Sequence, residues 1–150
     1  LINVRGKKSP EEFHRQLGQI LWNYCGMSRS ESQLNKGLKL LAEIKKEFWS
    51  DICVYPNRRI NSDLEKAGRV IDFIELGELM CRDALEREES CGAHFRSEHQ
   101  TQDGEGIRDD ENFSHVMIWT NANEKDTGSI LTKEPLQFDE AKVITRNYKK

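Results

Sequence analysis

The sequence predicts a mainly α fold, an antiparallel three-helix bundle (spectrin-repeat-like) with an irregular C-terminal tail that carries a small β-hairpin. Three observations predict it. Apolar residues recur at steps of three and four along three successive stretches between Ser9 and Ser90. Each stretch opens on a residue suited to capping a helix. Beyond Gly92 that spacing stops, and short runs alternating at steps of two replace it. The expected organisation is a bundle over 1–92 and a loop and short-strand tail over 93–150, packed on the bundle as one structural unit.

The first helix starts at Ser9, whose hydroxyl suits an N-cap, with Pro10 in the first turn and Glu12 closing a capping box. Phe13, Leu17, Ile20 and Tyr24 form its stripe, and Gly26 is expected to end it at the C′ position. The second starts at Ser28, with Glu31 as a second capping box, or at Ser30. Leu34, Leu38, Leu41, Ile44, Phe48 and Ile52 follow, and Pro56 stops it within a loop running to Arg59. The third starts at Asn61 or Ser62 and runs to about Ser90, where Gly92 can terminate it. Leu64, Ala67, Ile71, Ile74, Cys81 and Leu85 form its core series, which Glu78 interrupts. Short connections favour antiparallel neighbours.

The tail begins with an irregular loop over 93–112, punctuated by Gly104 and Gly106. Val116, Ile118 and Thr120 alternate, as do Ile130 and Thr132, so a hairpin is expected around the Asn121-to-Gly128 turn. Val143-Ile144-Thr145 is strand-like and leads into a basic end. Two features of the bundle point outward. The third helix carries a second apolar stripe, Phe73, Leu76, Met80 and Ala84, which needs a cover. That cover is either the chain's own tail or another domain of the same polypeptide. Gly18, Gly37, Gly68 and Gly77 lie inside helices, each at a cost of about 1 kcal/mol relative to alanine. Close backbone approach is the expected reason.

Composition narrows the function classes. At 150 residues with 33% charged residues and a net charge of −3, the chain suits one wet-surfaced domain. No basic block interleaved with aromatics appears, which speaks against nucleic acid as a partner. Its apolar runs are too short to span a bilayer, so no direct membrane insertion is expected. There is no signal-peptide pattern, and a start at Leu1 rather than methionine suggests a piece of something longer. Cys25, Cys53, Cys81 and Cys91 form no C-x-x-C pair and are expected as reduced thiols.

The most informative stretch is Leu85 to Phe113. Glu86, Glu88, Glu89 and Glu98 surround Arg87, Arg96, His94 and His99, with Arg108-Asp109-Asp110-Glu111-Asn112-Phe113 after them. Too few apolar positions interrupt it for hydrophobic burial to explain it. Carboxylates in the last turn of a helix oppose its macrodipole by about 0.3–1 kcal/mol each. Arg82 and Arg87 offset this locally, and a fixed partner such as Arg96 would explain it better. Arg108, Asp109 and Asp110 suit a cap or clamp on neighbouring backbone. These charges are either structural joints or contacts to another subunit.

Other chemistries fit less well. Cys91, His94, His99 and Cys81 lack the paired short spacing of a zinc site. Ser90 and His94 sit at no strained elbow and have no oxyanion hole. His14 faces away from the first stripe and is expected on the solvated surface. Gly104-Glu105-Gly106 lacks the third glycine and the strand-to-helix setting of a dinucleotide turn.

Two signatures carry a resemblance. Glu88-Glu89-Ser90-Cys91-Gly92-Ala93-His94 fits E-x-S-x-G-x-H, and Arg108 to Phe113 fits R-D-D-x-N-aromatic. Earlier matches are Gly6-Lys7-Lys8-Ser9-Pro10, Phe13-His14, Leu17-Gly18, Leu21-Trp22, Tyr24-Cys25-Gly26-Met27 and Arg29. Glu65-Lys66-Ala67 and Glu75-Leu76 follow in the third helix. Over about its whole length the chain resembles the C-terminal helical domain of the flavoprotein subunit of fumarate reductases and succinate dehydrogenases. Cys91 stands where many members carry arginine, so that arginine's salt bridge does not carry over. Cysteine there looks more like the branch with a single membrane cytochrome subunit and a low-potential quinone. His115 comes two residues after Phe113, where many members place a histidine three after.

The resemblance implies a parent oxidoreductase that interconverts fumarate and succinate at flavin adenine dinucleotide (FAD). Electrons would pass between FAD, an iron–sulfur subunit and a membrane quinone. Flavin and catalytic arginine belong to preceding domains in the family, so no catalytic, cofactor-binding or metal residue is assigned here, and the fragment alone is expected to be inactive. Implied partners are the flavin-binding domain of the same polypeptide, the iron–sulfur subunit and, indirectly, a membrane cytochrome subunit. The implied location is cytoplasmic, peripheral on the inner face of the cell membrane. Candidate domain or subunit contacts are Phe73, Leu76, Met80, His94, Arg96, Arg108, Asp109 and Asp110. The alternatives are the matching domain of L-aspartate oxidase and a free-standing helical interaction module.

Overall fold

A computed structural model describes residues 1–56, 60–122, 129–141 and 144. The chain divides into two compact units, Leu1–Glu86 and Arg87–Lys150. The first holds α1 (Pro10–Tyr24), the two-residue extended segment β1 (Ser28–Arg29), α2 (Glu31–Asp51) and α3 (Ser62–Glu86). The second holds β2 (Phe95–Arg96), α4 (Asp110–Phe113), β3 (His115–Asn121) and β4 (Ser129–Pro135).

Local chemistry sets the helix ends. The Glu12 amide donates to Ser9 Oγ (3.3 Å) and the Ser9 amide donates to Glu12 Oε2 (2.8 Å), completing the expected capping box. Those bonds from Ser9 hold the Glu12 carboxyl below the usual glutamate range. Gly26 follows α1, but its backbone is not left-handed; positive φ occurs only at Gly92 and Gly104 among the described residues. Gly26 serves by close approach instead, since a Cβ there would lie 2.6 Å from the Trp22 carbonyl oxygen. Of the two candidate starts for α2, Ser30 is the N-cap, accepting from the Gln33 amide at 3.3 Å. Ser28 lies in β1, so the Ser28–Glu31 box does not form. Asn61 Oδ1 accepts from the Leu64 amide (3.0 Å) at the start of α3.

The helices run up, down and up. Phe13 meets Phe48 edge-on with ring centroids 5.3 Å apart, and a Cβ at Gly37 would lie 3.0 Å from Tyr24 Cβ, so α1 and α2 are antiparallel. Lys45 pairs with Glu75 at 3.4 Å while Gly37 lies beside Cys81, so α2 and α3 are antiparallel too. His14 stacks on Phe73 and Leu21 rests on Gly77, so α1 and α3 are parallel. The core is built on Phe13, Leu17, Leu34, Leu41, Ile44, Phe48, Ile52 and Ile74, all buried. Ahead of α1, the chain bridges Lys8 to Ile52, and Cys53 N donates to Lys8 O at 2.8 Å.

Three expectations for α3 change. It ends at Glu86, not near Ser90, because the Arg87-to-Ser90 backbone and side chains are committed to the following loop. Its buried series is Ala67, Val70, Ile74, Gly77, Cys81 and Ala84. The interruption at Glu78 disappears once the series passes through Gly77 at regular three- and four-residue steps. Ala84 therefore belongs to the core, at 2% exposure, and not to the second stripe. Close approach explains two of the four interior glycines. A Cβ at Gly77 would lie 3.1 Å from Leu21 Cδ2, and Gly37 abuts Tyr24, whereas Gly18 and Gly68 have open space.

In the second unit the hairpin forms with His115 opposite Pro135 and Asn121 opposite Ser129. Ile118 faces Thr132 and Thr120 faces Ile130, so the alternating residues share one face, which is exposed. Most of the predicted turn, and Val143 and Thr145 of the later run, lie outside the described residues. The expected irregular loop holds two short elements, β2 and the start of α4, the latter capped by Asp109.

Truncating Phe48 to alanine removes the largest aromatic contact between α1 and α2. It should lower the unfolding free energy by about 3–5 kcal/mol in urea melts. Gly68→Ala should instead raise it by up to about 1 kcal/mol, because the added methyl meets nothing and the helix propensity improves.

Candidate functional site

Two surfaces carry the residues singled out by sequence, and each lies within one unit. In the first unit α1 and α3 enclose an apolar groove of about 270 Å³. Leu17, Gly18 and Leu21 supply one wall; Phe73, Leu76 and Met80 supply the other. Phe73, Leu76 and Met80 are 43%, 53% and 42% exposed, so three large apolar side chains face outward along one helix. His14 was expected on the solvated surface. It is exposed, and its ring also lies 5.9 Å from that of Phe73, at one end of the groove. The spacing His14, Gly18, Leu21 places all three on one face of α1, which is the signal that marks His14. Gly18 has open space where a side chain would be, so the groove floor is flat there.

In the second unit the two sequence signatures are one construction, joined by Glu89. Its carboxylate is 2% exposed. Glu89 Oε1 receives Arg87 Nη1 at 2.7 Å, and Glu89 Oε2 receives the Asp109 amide at 2.9 Å. Arg87 in turn donates to the carbonyls of Phe113 (3.2 Å) and His115 (2.9 Å) and lies over the Phe113 ring. A buried carboxylate is tolerable only when paired and hydrogen-bonded, and here both oxygens are engaged. Glu89 thus lies beyond the last turn of α3, and its partner is Arg87. Arg96, the partner expected for the acidic run, instead pairs with Glu98 at 3.3 Å and is itself 3% exposed.

The remaining residues extend the clamp. Ser90 Oγ receives the Arg96 amide (2.9 Å) and donates to the Arg96 carbonyl (3.1 Å). His94 Nε2 lies 2.9 Å from the Arg87 carbonyl. Ser90 and His94 each bond to the backbone. Asp109 accepts from the Asn112 amide (3.1 Å) and from Asn112 Nδ2 (2.8 Å), and both contacts hold its carboxyl below the usual aspartate range. Arg108 grips Asp110 and donates to the Ile144 carbonyl (3.2 Å). Gly106 packs on Ser90, where a Cβ would lie 2.9 Å from Ser90 Cβ, so its bareness serves the loop itself. Among the described residues no group of three or more His, Cys, Asp or Glu is placed to hold a metal. Nor is any helix among them long and apolar enough to cross a membrane.

The arrangement is a bundle with one uncovered groove and a loop locked by a buried carboxylate. The family described as fumarate reductase flavoprotein C-term matches residues 14–148, and the chain belongs to it. The fumarate reductase flavoprotein subunit of Haemophilus influenzae is 27% identical over 125 residues, 82% of this chain and 20% of that one. L-aspartate oxidase of Yersinia pestis is 28% identical over 87 residues, 58% of this chain and 15% of that one. Among solved structures, a quinol-fumarate reductase with menaquinol molecules superposes with a TM-score of 0.77 at 22% identity. The match covers 94% of this chain and 23% of that one, and shows the shared fold. The chain spans about a fifth of the length of the curated relatives it matches.

Glu89→Ala should cost about 3–5 kcal/mol in thermal or urea melts, because it strands the Arg87 guanidinium and the Asp109 amide together. Asp109 should contribute to the acid limb. Its folded-state pKa is depressed, so its stabilisation is present above the unfolded value, about 3.9, and is lost as pH falls through the folded value. Asp109→Ala should flatten the loss of stability on acidification below about pH 4.

Proposed function

We propose that this chain is the C-terminal domain of a flavoprotein subunit that interconverts fumarate and succinate. Electrons would pass between FAD, an iron–sulfur subunit and a membrane quinone. Membership of the family over residues 14–148 carries this reading, and Glu89, which ties its two signatures into one site, supports it. This segment buttresses the flavin-binding domain of the same polypeptide and helps form subunit contacts. The exposed Phe73, Leu76 and Met80 are the candidate face for that domain. His94, Arg96, Arg108, Asp109 and Asp110 belong to the charged joint that shapes a contact surface. The dinucleotide is held outside this segment, a reading supported by Gly106 being packed on Ser90 and not left open to a phosphate. The parent is peripheral on the inner face of the membrane, reached through its complex. L-aspartate oxidase is the weaker reading, since that relative matches 58% of the chain against 82% for the reductase.

Two measurements test the proposal. The full-length protein should bind FAD and reduce fumarate with a reduced viologen. The 150-residue chain alone should show neither a flavin absorbance band nor turnover. Oxidation of L-aspartate by the parent without fumarate reduction would replace the first reading with the second.

Leu76→Ser tests the docking face. Burial of a large apolar side chain is worth about 1.5–3 kcal/mol. In the 150-residue chain the substitution should move the urea midpoint little, and in the full-length subunit it should lower stability by an amount of that order. A large shift in the short chain would mean that its own tail covers the stripe. Gly18→Ala sharpens the comparison. It should be neutral or stabilising in the short chain and destabilising in the full subunit, where the groove floor is occupied.

A further inference from the structure

The seam between α1 and α3 holds a pair of thiols for which the family reading has no use. Leu21 rests on Gly77, with 3.1 Å between Leu21 Cδ2 and the position a Gly77 Cβ would take. The two helices are parallel, so one turn further along each brings Cys25 against Cys81. A third constraint comes from α2. A Cβ at Gly37 would lie 3.7 Å from Cys81 Sγ and 3.0 Å from Tyr24 Cβ, which sets the Cys81 sulfur beside the residue that precedes Cys25. Both cysteines are free and buried, at 6% and 0% exposure. Each thiol is the chief influence on the acidity of the other. Cys53 follows α2 and Cys91 lies in the second unit.

We propose that Cys25 and Cys81 form a reversible disulfide, a redox-sensitive cross-link that pins the end of α1 to α3. The chemistry is thiol–disulfide exchange with a small soluble disulfide. The Cys25 thiolate attacks one sulfur of that disulfide and expels a thiolate. The Cys81 thiolate then attacks Cys25 Sγ and expels the second. One S–S bond forms and one breaks. The protein gives up two electrons and two protons, and the small disulfide becomes two thiols. Cys25 is the attacking group. The neighbouring Cys81 thiol, and secondarily the charge of Arg29, hold its thiol below the usual range against the opposing effect of burial. Cys81, fully buried within α3, is reached only from Cys25 and is therefore the resolving thiol. Cys25 is also the C-cap residue of α1, beside the exposed Trp22 and Met27, so fraying of one turn is enough to admit the oxidant.

The test equilibrates the native full-length protein with oxidised and reduced glutathione. The protein is then quenched with acid, unfolded, alkylated and mapped by mass spectrometry. The expected result is a single joined peptide pair carrying Cys25 and Cys81, two hydrogens lighter than the reduced pair. Cys53 and Cys91 should be alkylated, and dithiothreitol should restore all four thiols. At one glutathione ratio the joined fraction should be at least about tenfold higher in native protein than in denaturing urea, because the fold holds the two sulfurs together. The proposal is overturned if Cys25 and Cys81 are recovered alkylated or singly glutathionylated. It is equally overturned if they pair with Cys53 or Cys91, or if native and unfolded protein give the same joined fraction. The wild-type protein decides the matter, so no substitution in the core is needed. The outcome is independent of fumarate turnover, so failure here leaves the functional reading standing.

Discussion

Small residues on one face of α3 set the geometry of the bundle. Ala67, Gly77, Cys81 and Ala84 are all on the buried series, interleaved with Val70 and Ile74. They let α1 and α2 approach the α3 backbone closely, as the contacts at Gly77 and Gly37 show. Packing density must still be met, so the partner helices bring the bulk: Phe13, Leu17, Leu34, Leu41 and Phe48. Three large apolar residues of α3 then fall outside the seam. Phe73, Leu76 and Met80 occupy the flank of α3 next to α1, where Gly18 supplies no side chain to meet them. The groove is therefore a consequence of how the core is filled.

Among its described residues the second unit has no comparable apolar core, and its loop is held by charge. Glu89, with both oxygens occupied, converts a run of acidic residues into a fixed corner. It places Asp109 to cap α4, and Arg87 carries the corner on to the start of β3 through the carbonyls of Phe113 and His115. Such a network is costly to break and cheap only when complete. This is a physical reason for a family signature to be made of polar residues. The two motifs are twenty residues apart in sequence and one hydrogen bond apart in space.

Much of this was legible beforehand. Ser9, Pro10 and Glu12 announce α1 through local hydrogen bonding alone, and local chemistry survives whatever the tertiary structure does. The hairpin could be read from period-two alternation, while its register comes from the structure. The misreadings share a cause. Continuing the Leu64, Ala67, Ile71 rhythm past Ile74 leads to Glu78, and only packing reveals that glycine fills that step. Ala84 then moved from the outer stripe to the core. The end of α3 was overrun because the Glu88–Glu89 pair suits a helix by propensity, while its actual destination, the Asp109 amide, is a long-range contact. His14 is exposed, as read; what the sequence did not show is its ring contact with Phe73, which lies on another helix.

The groove and the thiol pair occupy successive turns of the same two helices. Leu21 and Gly77 form the contact at the groove floor, and Cys25 and Cys81 come one turn later. A cross-link there leaves the groove's lining unchanged and fixes the relative position of its two walls. An apolar groove gains affinity when its walls are held in the bound spacing beforehand, since less conformational freedom is lost on docking. Oxidation at Cys25 and Cys81 would then act on how firmly the bundle holds its neighbouring domain, without touching flavin, substrate or the charged joint. On the proposed reading, the stiffness of one helix–helix seam would in this way bear on the parent enzyme.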